Sequence, residues 1–297
     1  MNITITKDNQ TRGHIASIFT IIVWGTTFIS TKVLLGSFSP VEILFIRFLI
    51  GYLALWIAYP KHLHITDKKQ ELLFAAAGLC GVTLYYLFEN IALTYTLTSN
   101  VSVVVSVAPF FTAILGYLIL KEEKPQPRFF LAFGIAIAGI CLICFNSDAS
   151  FSINPLGDLL AFGAAILWAF YSIITKKLSS FHYNMIQTTR RIFFYGIIFM
   201  IPFLFIMDFN VSLKSFANLP ILLNFIFLGF IACAVCFVTW NYAVHHLGTV
   251  KTSVYIYAVP VITTISSALI LHETITITTI CGIVLTLIGL FLSEKRH

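Results

Sequence analysis

Charged residues are scarce in this chain. Only 10% of its 297 residues are Asp, Glu, Lys or Arg, whereas 59% are hydrophobic, and the mean hydropathy is +0.94. Soluble domains carry about 25% charged residues, so the composition excludes a soluble globular protein. Long polar stretches are also missing, and the longest are short connections such as "PKHLHITDKKQ" and "NSDASFSINPLGD". Any function must therefore lie within a bundle of membrane helices.

The motifs of several enzymes and ATP-driven pumps are absent as well. The sequence contains no G-x-x-x-x-G-K-[ST] loop for ATP, no H-E-x-x-H zinc motif and no G-x-S-x-G nucleophile motif. Its six cysteines include two C-x-x-C pairs, but both lie in apolar segments without histidines at metal-ligand spacing. We therefore expect no metal, no cofactor and no disulfide. An intramembrane enzyme is the less favoured alternative.

Hydrophobic segments of about 20 residues, the length that crosses a bilayer as a helix, recur along the whole chain. No small-residue cleavage site follows the first of them, so we expect an uncleaved anchor. The sequence predicts ten transmembrane helices, over residues 15–35, 41–59, 72–93, 101–120, 129–145, 156–178, 186–207, 219–244, 252–271 and 276–292.

The net charge of +6 comes from basic residues that are distributed by loop, so it does not indicate a nucleic-acid-binding surface. If the N-terminus is inside, thirteen basic residues lie at cytoplasmic ends and one, Lys214, lies on an outer loop. Excess Lys and Arg in cytoplasmic loops is what orients membrane proteins. We predict cytoplasmic N- and C-termini in a bacterial inner membrane, and no nucleic-acid partner.

The chain also contains an internal repeat. Residues 90–122 align with residues 241–273 without a gap, and twelve of the 33 aligned residues are identical. An offset of 144 residues earlier in the chain pairs Trp24 with Trp168, Lys32 with Lys176 and Arg47 with Arg191. Each half of the chain contains five of the ten predicted helices. Because five is an odd number, the second half must enter the membrane from the opposite side. We predict two inverted five-helix repeats, residues 1–146 and 147–297, around a central cavity, which is the architecture of many secondary transporters.

Two prolines, Pro109 and Pro260, occupy matching positions inside apolar segments. A proline inside a helix removes one backbone hydrogen bond, and the freed carbonyl needs a cavity or a neighbouring helix. Matched kinks would let the two halves flex alternately, so we predict hinges. A static kink that fits the packing is the alternative, because prolines are frequent in transmembrane helices.

Three stretches resemble signatures of the EamA family within the drug/metabolite transporter superfamily: "ALTYTLTSNVSVVVSVAPFFTAILGYLILKEE", "WGTTFISTK" and "WAFYSIITKKL". The resemblance implies ten helices in two inverted repeats, with the fifth and tenth at the periphery. It also implies export of amino acids or related metabolites. The second repeat departs from the pattern at His245 and His246, where "HHLGTV" replaces the aromatic-threonine turn.

Ionisable groups inside a membrane are costly and are functional candidates by default. Arg47 and Arg191 each offer a bidentate fork to a carboxylate, although Arg191 can instead extend to the cytoplasmic interface. Glu89 lies well within the third span and is predicted to couple protons or to recognise a cation. Its alternative role is a structural salt bridge with Arg47 or Lys32.

Further substrate-site candidates are aromatic, amide and small hydroxyl residues on the same predicted faces, although Tyr and Trp also form interface belts. Together with the two arginines and Glu89, the predicted substrate-binding and translocation set comprises Trp24, Phe28, Lys32, Tyr85, Asn90, Trp168, Ser172, Lys176, Trp240, Asn241 and Tyr257. Glu122 and Glu273 close matching helices, where the helix dipole disfavours a carboxylate. We expect them to be structural, for example as caps of a neighbouring helix.

The sequence thus predicts a secondary transporter that exports amino acids or similar small amphipathic metabolites by alternating access. Its partners would be a small-molecule substrate, the lipid bilayer and, as a candidate coupling ion, the proton. Uptake or antiport of a nucleotide-like or cationic solute is the alternative within transport. Monomer and homodimer both stay open.

Overall fold

The computed structural model describes residues 7–65, 67–121, 126–144, 154–207 and 209–294, and it contains helices but no strands within those ranges. The helices are α1 (Lys7–Leu34), α2 (Pro40–Ala58), α3 (Lys68–Tyr95), α4 (Thr98–Leu120), α5 (Pro127–Cys144), α6 (Pro155–Ser179), α7 (Met185–Ile206), α8 (Leu219–Leu247), α9 (Lys251–Ile270, preceded by a helical turn from Thr249) and α10 (Ile277–Glu294).

Eight helices in the described residues are long and apolar enough to cross a membrane. The other two, α5 and α10, contain shorter apolar stretches over Pro127–Gly139 and Ile277–Gly289. Each predicted span overlaps one of these helices, and the all-helical membrane fold is confirmed. The exact count of ten spans stays a prediction.

Helix starts follow from local sequence. Ser39 and Glu42 form a capping box at the start of α2, in which each side chain binds the other's backbone N–H. Asp67 caps α3, and Asn184 caps α7 by accepting from the N–H groups of Ile186 and Gln187. These side chains satisfy backbone donors that a helix N-terminus leaves free.

The two repeats exchange their first helices. Helix α1 packs against α8 and α9 of the second half, and α6 packs against α3 and α4 of the first half. Helix α7 crosses α3 at Gly78 and Gly196, where a Cβ added to Gly78 would lie 2.7 Å from the Gly196 nitrogen. Glycine therefore permits close backbone contact at this crossing.

Interruptions occur at matching places in both repeats. Helix α3 contains a π-helical stretch over Leu79–Leu84, and α8 contains one over Phe227–Val235. Helix α4 is broken by a turn after Val105, and α9 passes through a 3₁₀ turn over Val254–Ala258. Such irregular turns are frequent at functional sites, and here they surround the centre of the bundle.

Pro109 and Pro260 lie just after these breaks, in the first turn of the helical segments Ala108–Leu120 and Val259–Ile270. We expected prolines within continuous helices, but each one begins a new helical segment. A first-turn proline loses no hydrogen bond, because its N–H would have no partner there in any case. The backbone break therefore accounts for the tolerance of both prolines, and whether they act as hinges stays a prediction.

Helices α5 and α10 pack against each other. A Cβ on Gly139 would lie 2.5 Å from Thr286 Oγ1, and one on Gly289 would lie 2.5 Å from the Ala132 carbonyl oxygen. Large apolar side chains such as Phe130 and Phe291 are exposed on this pair. The pair therefore presents an apolar surface suited to lipid.

Candidate functional site

Three tryptophans from different helices meet at the centre of the bundle. The ring of Trp24 on α1 lies 5.2 Å from that of Trp168 on α6, edge to face, and 5.1 Å from that of Trp240 on α8. Trp168 and Trp240 are 6.0 Å apart. All three side chains are buried. Phe237 packs against both Trp24 and Trp168 and completes this aromatic cluster.

A small cavity, of about 30 Å³, borders the aromatic cluster. Its wall combines aromatic and aliphatic side chains with five hydroxyl groups, two of them on tyrosines, and one carboxyl group. The residues that form it are Trp24, Thr27, Phe28, Tyr85, Tyr86, Glu89, Ser102, Val105, Ser106, Ala108, Trp168, Ile256 and Val259. Both repeats contribute to it, and the breaks in α4 and α9 lie in its wall. An apolar cavity with a few convergent polar groups is the usual form of a small-molecule site.

Glu89 is the only charged residue in the cavity wall among the described residues. Its side chain is 2% exposed and lies within hydrogen-bonding reach of the Tyr85 hydroxyl, one helical turn away. Arg47 acts on it electrostatically, but the two residues form no ion pair within 4 Å among the described contacts. Lys32, the other predicted partner of Glu89, lies outside the cavity wall and binds the Leu93 carbonyl instead. The carboxyl group is thus available to a proton or to a bound cation.

Arg47 is fully buried in α2 and is absent from the cavity wall. Its Nε donates to the sulfur of Cys233 at 3.3 Å. The ring of Tyr86, which does line the cavity, covers the guanidinium group at 4.4 Å. The cavity was expected to contain the arginine, but the structure places Arg47 behind an aromatic ring.

Lys32 lies at the predicted external end of α1. Its Nζ donates to the Leu93 carbonyl at 2.5 Å and the Thr96 carbonyl at 3.4 Å, at the end of α3. Its repeat equivalent, Lys176, makes no such bond among the described residues and lies near His245. The two lysines are therefore in different environments, and neither contacts the cavity.

The amide and hydroxyl candidates mainly join helices. Asn90 donates to the Pro40 carbonyl at 3.1 Å. Asn241 accepts from the Tyr171 hydroxyl at 3.3 Å and donates to Thr189 Oγ1 at 3.0 Å. Ser172 is buried and donates to the carbonyl of Trp168, one turn earlier. Tyr257 is buried within the 3₁₀ turn of α9.

Arg191 lies away from the central cavity, at the predicted cytoplasmic end. It forms an ion pair with Glu71 of α3, which also accepts from Tyr195. Its neighbour Arg190 donates to the carbonyls of Tyr59 and Lys61 in the connection after α2. These contacts tie α7 to the first repeat.

Glu273 accepts hydrogen bonds from the N–H groups of Thr98 at 3.0 Å and Ser99 at 3.4 Å, at the start of α4. This geometry matches a cap on a neighbouring helix and supports the structural role that we predict for it. Glu122 lies outside the described residues. Among the side chains that the structure describes, five cysteines are free and no group of three or more metal-ligand side chains occurs.

Sequence reasoning missed Phe237 and the serines of α4. Phe237 is the repeat equivalent of Tyr86, as Trp240 is of Glu89, so the 151-residue offset already pointed to this face of α8. Ser102 is identical to its repeat equivalent Ser253, and Ser106 aligns with the candidate Tyr257, but the alignment does not show which way they face. Their hydroxyls bond to the carbonyls of Ser99 and Val103, and only the packing of α4 turns them towards the cavity.

The fold and this site define a multi-pass membrane protein with two helical repeats around a central cavity. The chain matches the EamA-like transporter family over residues 11–145 and again over residues 155–294, and it belongs to that family. The expected resemblance is thereby confirmed.

Three relatives span nearly the whole chain. An uncharacterized transporter of Archaeoglobus fulgidus is 28% identical, covering 97% of this chain and 99% of the relative. A probable terminal-alkyne amino-acid exporter of Streptantibioticus cattleyicolor is 23% identical, covering 95% of this chain and 93% of the relative. A probable amino-acid metabolite efflux pump of Escherichia coli is 25% identical, covering 94% of this chain and 93% of the relative. One crystal structure, 15% identical, shares the fold over 96% of both chains with a TM-score of 0.66.

Proposed function

We propose that this protein is a secondary transporter that exports amino acids or similar small amphipathic metabolites by alternating access. The buried cavity between the repeats carries the proposal, because it offers aromatic walls, hydroxyl groups and one carboxyl group to a small solute. Two relatives bear the names of an amino-acid exporter and an amino-acid metabolite efflux pump. The chain belongs to a transporter family, which favours transport over catalysis.

The two ends of the bundle differ in a way that supports alternating access. At the predicted external end, Lys32 joins α1 to the end of α3, and Glu273 joins the end of α9 to the start of α4. One contact joins α1 to α3 and the other joins α9 to α4, and all four helices contribute to the cavity wall. Lys176, the equivalent of Lys32 at the other end, makes no matching bond among the described residues. In inverted repeats, the two halves exchange such arrangements between states.

Glu89 is the candidate coupling group in this proposal. It is a buried carboxyl group in the cavity wall without an ion-pair partner within 4 Å among the described contacts. Such a group binds a proton or the ammonium group of a substrate, because an isolated buried carboxylate is unfavourable. Competition between these two cations for Glu89 would couple export to proton entry.

A cationic solute is the second candidate substrate, and one observation favours it. The charged group in the described cavity wall is a carboxylate, whereas Arg47 is covered by Tyr86. In this state the cavity therefore suits the ammonium end of a molecule better than a carboxylate.

The test is flux of labelled amino acids into proteoliposomes that contain the purified protein, with and without an imposed pH gradient. The panel contains aromatic and small aliphatic amino acids, and labelled organic cations form a second panel. Flux of amino acids above that of empty liposomes supports the proposal. If only cations cross, the cationic alternative replaces it, and if folded protein moves neither panel, transport of small amphipathic solutes is contradicted.

A further inference from the structure

The guanidinium group of Arg47 is buried without an oxygen partner. Its side chain has 0% exposure. Nε donates to the sulfur of Cys233, which is a weak acceptor, while Nη1 and Nη2 have no hydrogen-bond partner among the described residues. The rings of Tyr86 and Phe48 cover the guanidinium carbon, with centroids 4.4 Å and 5.6 Å from it.

Two other arginines of the chain show what a structural arginine does in this fold. Arg190 donates to two backbone carbonyls, and Arg191 donates to the carboxylate of Glu71. Both residues thus use oxygen acceptors, although both are more exposed than Arg47. Burial of a charged group without an acceptor is costly. The ring contacts and the electrostatic attraction of Glu89 offset part of that cost for Arg47, but they leave its two terminal nitrogens without acceptors among the described residues.

Tyr86 connects this arginine with the central cavity. Its side chain lines the cavity, and its ring also covers the Arg47 guanidinium. Tyr86 lies two residues after the end of the π-helical stretch Leu79–Leu84, and π-helical turns are frequent at functional sites. Rotation of the Tyr86 side chain would open a path between the cavity and Nη1 and Nη2.

The same core contains further donors without acceptors. Nε1 of Trp168 and Nε1 of Trp240 are buried and have no hydrogen-bond partner among the described residues. Both tryptophans belong to the aromatic cluster beside the cavity. The centre of the bundle thus has an excess of N–H donors, and an anionic acceptor would satisfy that excess.

We propose that Arg47 is a closed carboxylate subsite, which Tyr86 covers in this state and uncovers when substrate binds. The fork of Nη1 and Nη2 would hold both oxygens of a substrate carboxylate, while Glu89 in the cavity wall would hold its ammonium group. The substrate class is therefore a zwitterion with a free carboxylate and an apolar side chain that packs on the tryptophans. This inference rests on the proposed function and specifies how the same site recognises its substrate.

The test compares two probes on purified protein, L-phenylalanine and phenethylamine, which differ in the carboxylate alone. Binding is followed by tryptophan fluorescence, because three of the four tryptophans lie in the cluster beside the cavity. We expect the unmodified protein to bind L-phenylalanine at least about tenfold more tightly than phenethylamine, the preference that a charge-assisted pair provides.

Arg47→Lys keeps the charge and removes the fork, so it should lose most of that preference. Arg128→Lys, in the first turn of α5 and outside the cavity wall, is the matched control and should keep it. The comparison on unmodified protein remains decisive if Arg47→Lys does not fold. Equal affinity for the two probes would overturn the carboxylate subsite and leave transport of amines and amino acids standing. Absence of binding by either probe, together with absence of amino-acid flux, would overturn the proposed function and this inference with it.

Discussion

Trp24 and Trp168 occupy equivalent positions in the two repeats, and their rings meet edge to face with centroids 5.2 Å apart. Residues related by an inverted repeat come into contact only where the two halves meet, so this pair marks the centre of the bundle. The cavity borders both rings. A substrate there would touch both halves, as alternating access requires.

Glu89→Gln tests the coupling role of the buried carboxyl group. The amide keeps the size of the side chain but binds no proton in the working pH range, so flux should no longer respond to a pH gradient. Exchange of substrate without a gradient should continue. Proteoliposome flux at several imposed gradients measures this effect.

Asp67→Asn is the matched control for Glu89→Gln. Asp67 is an exposed cap of α3, and asparagine caps as well as aspartate, so its gradient response should equal that of the unmodified protein. A normal gradient response in Glu89→Gln would remove Glu89 from coupling and leave it a structural residue.

Lys32→Gln should weaken the closure of the predicted external end. The shortened, neutral side chain loses its charged donor to the Leu93 and Thr96 carbonyls, so states open to the outside become more populated. In a cysteine-free background, a cysteine at Ser102 in the cavity wall should then react faster with an impermeant thiol reagent added outside. Lys176→Gln, at the other end, should not accelerate that reaction. Equal rates in the two variants would contradict a latch role for Lys32.

The ion pair between Arg191 and Glu71 should contribute little to stability. Both side chains are partly exposed, at 36% and 26%, and such pairs are worth at most about 1 kcal/mol. Arg191→Met should therefore lower thermal stability in detergent only slightly and leave substrate preference unchanged. A shift in preference between amino acids would instead place Arg191 in the translocation path.

Gly139→Ala should separate α5 from α10. Its new Cβ would approach Thr286 Oγ1 and the Gly282 carbonyl to within about 2.6 Å, and such overpacking costs about 1–3 kcal/mol. Gly134→Ala on the same helix is the control, since nothing lies within 4 Å of its Cβ position. Thermal unfolding in detergent should separate the two variants, and equal melting temperatures would show that the close α5–α10 contact is dispensable.

Much of the fold could be predicted because hydrophobic length and an internal repeat are properties of the sequence itself. The repeat also paired Trp24 with Trp168, which meet in the structure. Most other side-chain partners across helices were beyond prediction, because they depend on helix rotation and rotamers. Arg47 faces Cys233 and Tyr86 rather than the cavity, and Arg191 pairs with Glu71, which no spacing in the sequence linked to it. The π-helical stretches likewise follow no simple residue pattern.

The central claim is that substrate crosses the membrane through this cavity, and closing the cavity tests it most directly. Ser102→Phe introduces a ring into the cavity wall, whereas Ser180→Phe introduces the same ring at an exposed position after α6. The measurement is flux of labelled L-phenylalanine into proteoliposomes that contain equal amounts of folded protein. The account predicts flux with the unmodified protein and with Ser180→Phe, and its loss with Ser102→Phe. Undiminished flux with Ser102→Phe would contradict transport through this cavity.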